Sequence, residues 1–261
     1  MFDISKHTSI KYGKLIIRPR EAEEIVSKSI RLVIIDRPGG GGSKNRFSRS
    51  GSATLFSKNG KKFIALCQHQ LHHMVKPNTE DINMIRVLSQ DDKYRSIPTS
   101  RAYWLKQSDG EEAGDILILQ VDTDHEQWRN IDAPNFIPLA ARKGKIADST
   151  IAVGLPSSFV PFSYEDYENP DFDSIRITRE VIPCVFDKDF KMDISFFHRC
   201  LIEDKSRCLD GFSGGAVMTL ARNINVSNPE WEVFLDGIIT RAGNGKIHYV
   251  CWNYLRKAEF G

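Results

Sequence analysis

Short apolar runs separated by turn residues dominate the chain. They are RLVIID (31–36), ATLFS (53–57), KFIALC (62–67), INMIRVL (82–88), DILILQV (115–121), STIAVGL (149–155), SIRITREVI (174–182), GAVMTL (215–220), EVFLDGIIT (232–240) and HYVCW (248–252). Rich in Ile, Val, Leu and Phe and bounded by Gly, Asn, Asp and Pro, they predict strands. Helical patterning is confined to EAEEIVSKSI (21–30) and the terminal WNYLRKAEF (252–260). Many short strands with little helix predict an all-β sandwich or barrel rather than an α/β sheet. Between the runs, RPGGGGSKNRFSRSG (37–51) lacks the Gly-Lys-Ser/Thr ending of a phosphate-cradling loop and reads as a flexible connection before a strand at 53. SYEDYENPDFD (163–173) reads as a solvated acidic-aromatic loop, and the polar ARKGKIADS (141–149) as a linker.

Composition narrows the class without naming a function. At 261 residues, with 41% hydrophobic and 27% charged positions, the chain has room for a real core and an ordinary globular surface. A net charge of +2 gives no bulk argument for nucleic-acid binding. No apolar run approaches the roughly 18–20 residues of a spanning helix, so no membrane partner is expected. The start, MFDISKHTSIKYGK, has no apolar stretch of the kind a secretory signal carries. The five cysteines are Cys67, Cys184, Cys200, Cys208 and Cys251, an odd and irregularly spaced set. Together these predict reduced thiols and a cytoplasmic location, with Cys200 and Cys208 alone near enough in sequence to suggest a small loop bridge.

The chemistry-bearing residues fall beside the apolar runs. Gly211-Phe212-Ser213-Gly214-Gly215 places a serine among glycines that let backbone N–H groups turn inward and a substrate carbonyl come close. A serine hydroxyl is a weak nucleophile and needs an oriented base. His69 follows the run KFIALC, and Asp115 opens the run ILILQV. His72 and His73 compete with His69 as base, and Asp109, Asp122 and Asp124 with Asp115; position beside a strand favours His69 and Asp115. Cys67, His69, His72 and His73 lack a second ligand pair at zinc-site spacing, so no metal and no cofactor are expected.

The order His69, Asp115, Ser213 resembles the trypsin-like (chymotrypsin-fold) serine peptidases, in motif style the bacterial HtrA-type and glutamyl-endopeptidase-type branches. GSATLFSKNGKKFIALCQHQL (51–71) is similar to that family's strand, turn and strand ending in histidine. DILILQVD (115–122) is similar to its aspartate segment, and GFSGGAV (211–217) to Gly-Asn-Ser-Gly-Gly-Pro-Val. The pattern departs at Phe212, where the secreted trypsin branch has Asp, at Cys67-Gln68 before the histidine, and at Ala216.

The resemblance implies two six-stranded Greek-key β-barrels with a C-terminal helix. Residues 1–30 would form an N-terminal segment with a helix, 31–143 the first barrel carrying His69 and Asp115, and 144–261 the second carrying Ser213. It also implies a triad of His69, Asp115 and Ser213 working through an acyl-enzyme, with an oxyanion hole from the N–H groups of Gly211 and Ser213. Substrate would meet Arg207 at the base of a specificity pocket and pair with Thr240, Arg241 and Ala242. The implied activity is an intracellular endopeptidase acting on proteins or peptides, switched on by a partner or ligand in view of Phe212 and Cys67-Gln68. The alternative is a catalytically silent module of the same fold that binds a partner protein.

Overall fold

The computed structural model describes residues 10–12, 15–18, 21–36, 47–71, 81–89, 96–105, 115–130, 136–140, 145–157, 178–190, 196–223 and 231–260. The chain opens with β1 (Ile10–Tyr12), β2 (Leu15–Ile17) and a short helix, α1 (Ala22–Ser27). Then come β3 (Ile30–Asp36), β4 (Phe47–Lys58), β5 (Lys61–Cys67), β6 (Ile85–Val87), β7 (Thr99–Trp104), β8 (Ile116–Val121) and β9 (Ile137–Pro138). The second half holds β10 (Lys145–Gly154), β11 (Glu180–Phe186), β12 (Phe197–Leu201), β13 (Ala216–Asn223), β14 (Trp231–Gly243) and β15 (Lys246–Cys251), followed by α2 (Trp252–Lys257).

Two barrel-like sheets result, the architecture that the family resemblance implies. The second is a closed ring in the order β13-β10-β11-β12-β15-β14, with β14 pairing back onto β13. The first runs β6-β3-β4-β5-β8-β7 and is half a barrel. Its open seam is spanned by an isolated bridge, Leu88 to Ser96, and by the Ile97 N–H donating to the Val87 carbonyl at 2.7 Å.

In the first sheet β5 and β8 are buried on both faces, which is why KFIALC and ILILQV read as unbroken apolar runs rather than alternations. Leu55, Ile64, Leu66, Leu117 and Leu119 fill the interior of that sheet. Their neighbours Phe56, Phe63, Ala65, Cys67, Ile116 and Ile118 belong to a core continuous with the second barrel. Past α2 the chain returns to the first sheet. Phe260 lodges against Phe63, with ring centroids 5.0 Å apart, and Phe56 at 6.0 Å, and the Lys58 ammonium lies over its ring.

Several local expectations are corrected. Residues 47–51 are not a flexible connection: they open β4, pairing with β3 from Phe47 opposite Asp36 onward. Likewise 145–149 is no linker but the start of β10, paired with β13 from Lys145 opposite Asn223. The run at 174–182 begins outside the described residues, and its strand starts only at Glu180 and continues to Phe186. TSRAYW (β7) and FHRCL (β12) are strands whose partly exposed patterns, each broken by an arginine, hide them among loops. The N-terminal residues also do more than precede the first barrel. β1 pairs in parallel with β14 of the second, and β2 pairs with β1. The segment 163–173 lies outside the described residues.

Candidate active site

Each candidate side chain owes its place to the end of a strand. β5 stops at Cys67, and the chain turns at once into a 3-10 turn, Gln68–Leu71, that lifts His69 toward solvent. Its neighbour in the sheet, β8, starts at Ile116 opposite Cys67, so Asp115 arrives beside that turn. The Gln68 N–H donates to the Asp115 backbone carbonyl at 2.6 Å, and the His69 N–H donates to the Asp115 carboxylate at 3.0 Å. The same carboxylate takes His69 Nδ1 at 2.8 Å. Two backbone constraints and one side-chain contact therefore fix the imidazole, whose side chain stays 51% exposed against 19% for Asp115. Asp122 and Asp124 lie past the far end of β8, where the Asp122 carboxylate accepts from the Asp124 N–H and the Asp122 N–H donates to the Pro98 carbonyl, while Asp109, His72 and His73 fall outside the described residues.

Ser213 comes from the other sheet, in the loop just before β13. This loop is gripped by the first sheet through its carbonyls. Ser52 Oγ donates to the Gly211 carbonyl at 2.6 Å, and Thr54 Oγ1 to that of Gly214 at 2.8 Å. The Ser213 carbonyl accepts from both the Ser52 N–H and Gln70 Nε2, at 3.1 and 2.9 Å. Buried Gln70 completes the clamp by accepting from the Cys67 N–H at 2.6 Å and donating to the Ser52 carbonyl at 3.0 Å. Only glycine fits at 214: its φ is +79°, and an added Cβ would stand 2.0 Å from the Ser52 carbonyl oxygen.

With the carbonyls held, the directions of two N–H groups follow. The Asp210 carbonyl accepts from the Ser157 N–H, and the Phe212 carbonyl from the Gly215 N–H, at 2.7 and 2.8 Å. In a trans peptide the next residue's N–H points the opposite way. The N–H groups of Gly211 and Ser213 therefore face away from those anchors, and neither has a backbone acceptor among the described residues.

Phe212 is fully buried, its ring packed so tightly on Gly154 that a Cβ there would lie 2.5 Å from Phe212 Cγ. An apolar plug thus fixes the loop where the trypsin pattern has a carboxylate.

The fold brings the three candidates to one junction but leaves one link open. Ser213 Oγ donates to the Thr240 carbonyl at 3.2 Å, and among the described residues no hydrogen bond joins it to His69. Thr240, Arg241 and Ala242 lie at the end of β14, where Arg241 and Ala242 pair with His248 and Ile247 of β15. The pairing of β14 with β13 has already ended at Ile238, so the other edge of this stretch has no strand partner among the described residues.

Arg207 is half-exposed, and its guanidinium pairs with Glu180 at 3.0 Å. Its charge is thus shared with a carboxylate of the protein itself. Cys200 and Cys208 are both free: Cys208 is exposed, whereas Cys200 is buried beside Cys184 in the second barrel. That contact and burial push the Cys184 thiol well up from its ordinary range. Sequence reasoning missed the clamp of Ser52, Thr54 and Gln70; the one signal for it was a polar residue repeated beside the histidine, in Gln68-His69-Gln70.

Solved structures share this architecture. The atomic-resolution structure of HBP matches with a TM-score of 0.51 at 11% identity over 89% of both chains. Human heparin binding protein matches at 0.49 and 9% identity, again over 89% of each chain. The Drosophila Grass clip serine protease of the Toll pathway matches at 0.48 and 10% identity, over 88% of this chain and 68% of that one. No family model and no curated protein matches the chain. The fold is chymotrypsin-like. Among the described residues no helix is long and apolar enough to cross a membrane.

Proposed function

We propose that the protein is a serine endopeptidase whose triad is His69, Asp115 and Ser213. The observation that carries this reading is the bidentate hold of Asp115 on His69, through ring and backbone, at the junction where the gripped Ser213 loop arrives. Asp115 keeps the proton on Nδ1 and leaves the Nε2 lone pair free to act as base. Ser213 Oγ attacks the scissile carbonyl carbon while Nε2 takes its proton. The same proton then passes to the leaving amine as the C–N bond breaks, and water resolves the acyl-enzyme by the same route in reverse. Gly211 and Ser213 offer N–H donors to the oxyanion, each worth about 3 kcal/mol in the transition state. An extended substrate adds a strand to the open edge of Thr240–Ala242. Arg207, already paired with Glu180, would favour an acidic substrate side chain only by exchanging partners.

A second reading rests on the bond from Ser213 Oγ to the Thr240 carbonyl. In this arrangement the nucleophile is parked, and a rotation about its χ1 is needed before His69 can take its proton. A partner or ligand that ordered the substrate edge would supply that switch, in keeping with a cytoplasmic protease held in check. If nothing releases the serine, the chain is a silent module for a partner protein.

Reaction with a fluorophosphonate probe separates these readings. Labelling of the purified chain, abolished in Ser213→Ala and reduced by orders of magnitude in His69→Ala, is the expected result. Labelling only after a cell extract is added supports the switched enzyme. No labelling under either condition sinks the peptidase reading.

A further inference from the structure

Cys67 takes no part in the chemistry above, yet the fold sets its sulfur beside the His69–Asp115 pair. Cys67 is the last residue of β5, and its side chain leaves the strand on the face that meets the second barrel, where Sγ donates to the Ile239 carbonyl at 3.2 Å. His69 follows two residues later in the 3-10 turn, and Asp115 precedes the residue paired with Cys67. One sulfur, one imidazole nitrogen and one carboxylate oxygen thereby lie within 4.8 Å of one another. The sequence offered no such set, because its third member comes from a different strand.

We propose that Cys67, His69 and Asp115 form a zinc site whose occupation shuts off the triad. The donors are those Zn²⁺ prefers, with bonds of about 2.3 Å to sulfur and about 2.0–2.2 Å to nitrogen and oxygen. Ligands sharing one tetrahedral ion stand about 3.3–3.8 Å apart on those bond lengths. Side-chain rotations of His69 and Asp115 supply the required adjustment, since both reach solvent and Cys67 alone is fixed in a strand. Three protein ligands leave a fourth position for water, and the exposed imidazole marks the path of entry.

Binding replaces a proton bridge with a metal bridge. The Cys67 thiol releases its proton to solvent, and the Asp115 carboxylate turns from Nδ1 to the ion. Nδ1 gives its lone pair to zinc, and the ring proton moves to Nε2. The imidazole then has no lone pair with which to accept the serine proton. The site depends only on the geometry of these three residues; the loss of activity also rests on the peptidase reading.

The test uses the full, reduced and chelator-stripped chain. Zinc affinity is measured by competition with a chromophoric chelator, and cobalt substitution reads the thiolate-to-metal charge-transfer band. One equivalent bound, with that band present, is expected. Loss of an outer-shell partner alone costs about 10–100-fold, so Cys67→Ala and Cys67→Ser should weaken binding at least about 100-fold and abolish the band. Both variants should still react with the fluorophosphonate probe, now insensitively to zinc, and circular dichroism and thermal melting verify their folding. The proposal is overturned if the native chain binds no zinc, or if either folded variant binds it as tightly. Cys67-dependent binding without probe reaction in any state would uphold the site and remove the peptidase.

Discussion

His248 shows how one residue's surroundings become a property of the whole fold. Its ring lies 5.4 Å from that of Phe190 and 5.5 Å from that of Phe197. Burial first, and then the nearby charges of Arg199, Arg241 and Lys246, lower its pKa from the ordinary 6.5. His198 is lowered by burial in the same direction. A histidine with a depressed folded pKa contributes stability that is complete above about pH 6.5 and is lost as pH falls toward and through the folded value, because the unfolded chain binds the proton first. His248→Phe keeps the aromatic contacts and removes the proton. Denaturant titrations between pH 7 and 5 should therefore show a shallower loss of stability in the variant, with the slope due to His198 remaining. Equal slopes would mean that His248 is solvated.

At the scale of the element, the 3-10 turn after β5 is the part that joins the two halves of the site. Gln70 is 2% exposed and hydrogen-bonds the Cys67 N–H and the carbonyls of Ser52 and Ser213. Gln70→Leu preserves size but removes the side-chain partner of the buried Cys67 N–H and of the Ser52 and Ser213 carbonyls, the last of which keeps the Ser52 N–H. A cost of about 2–4 kcal/mol is expected, read as a lower midpoint in urea, together with slower probe labelling as the Ser213 loop loosens. Unchanged labelling would show that Ser52 and Thr54 hold the loop unaided. This turn also marks the limit of what the sequence discloses. His69, Asp115 and Ser213 were legible because each sits at the end of an apolar run, and a nucleophile among glycines is rare in such company. Gln70 and Cys67 were not, since their importance lies in partners on other strands, which periodicity along the chain does not report. The strands themselves divide the same way: those buried on both faces stand out as apolar runs, whereas β7 and β12, partly exposed and carrying arginines, look like loops.

Across the whole molecule, the two sheets meet through the shared core and through the return of the chain end. Phe260, 6% exposed, is the one buried aromatic beyond α2, and it packs on Phe56 and Phe63 of the first sheet. Phe260→Ala should cost about 3 kcal/mol, the low end for a buried phenylalanine, and lower the thermal midpoint of a single transition. Two separate transitions would instead mean that the halves unfold independently.

The N-terminal pairing binds them in a further sense. Because β1 runs parallel to β14, with Ile10 opposite Trp231, a strand made at the beginning waits for one made near the end, and the entire first barrel is looped out between them. On a ribosome adding about 5–20 residues per second, that wait lasts tens of seconds. Throughout it β1 has only β2 beside it, and its other edge is open to foreign strands. The chain must finish as one piece: its two halves are distinct as shapes but inseparable as products of synthesis.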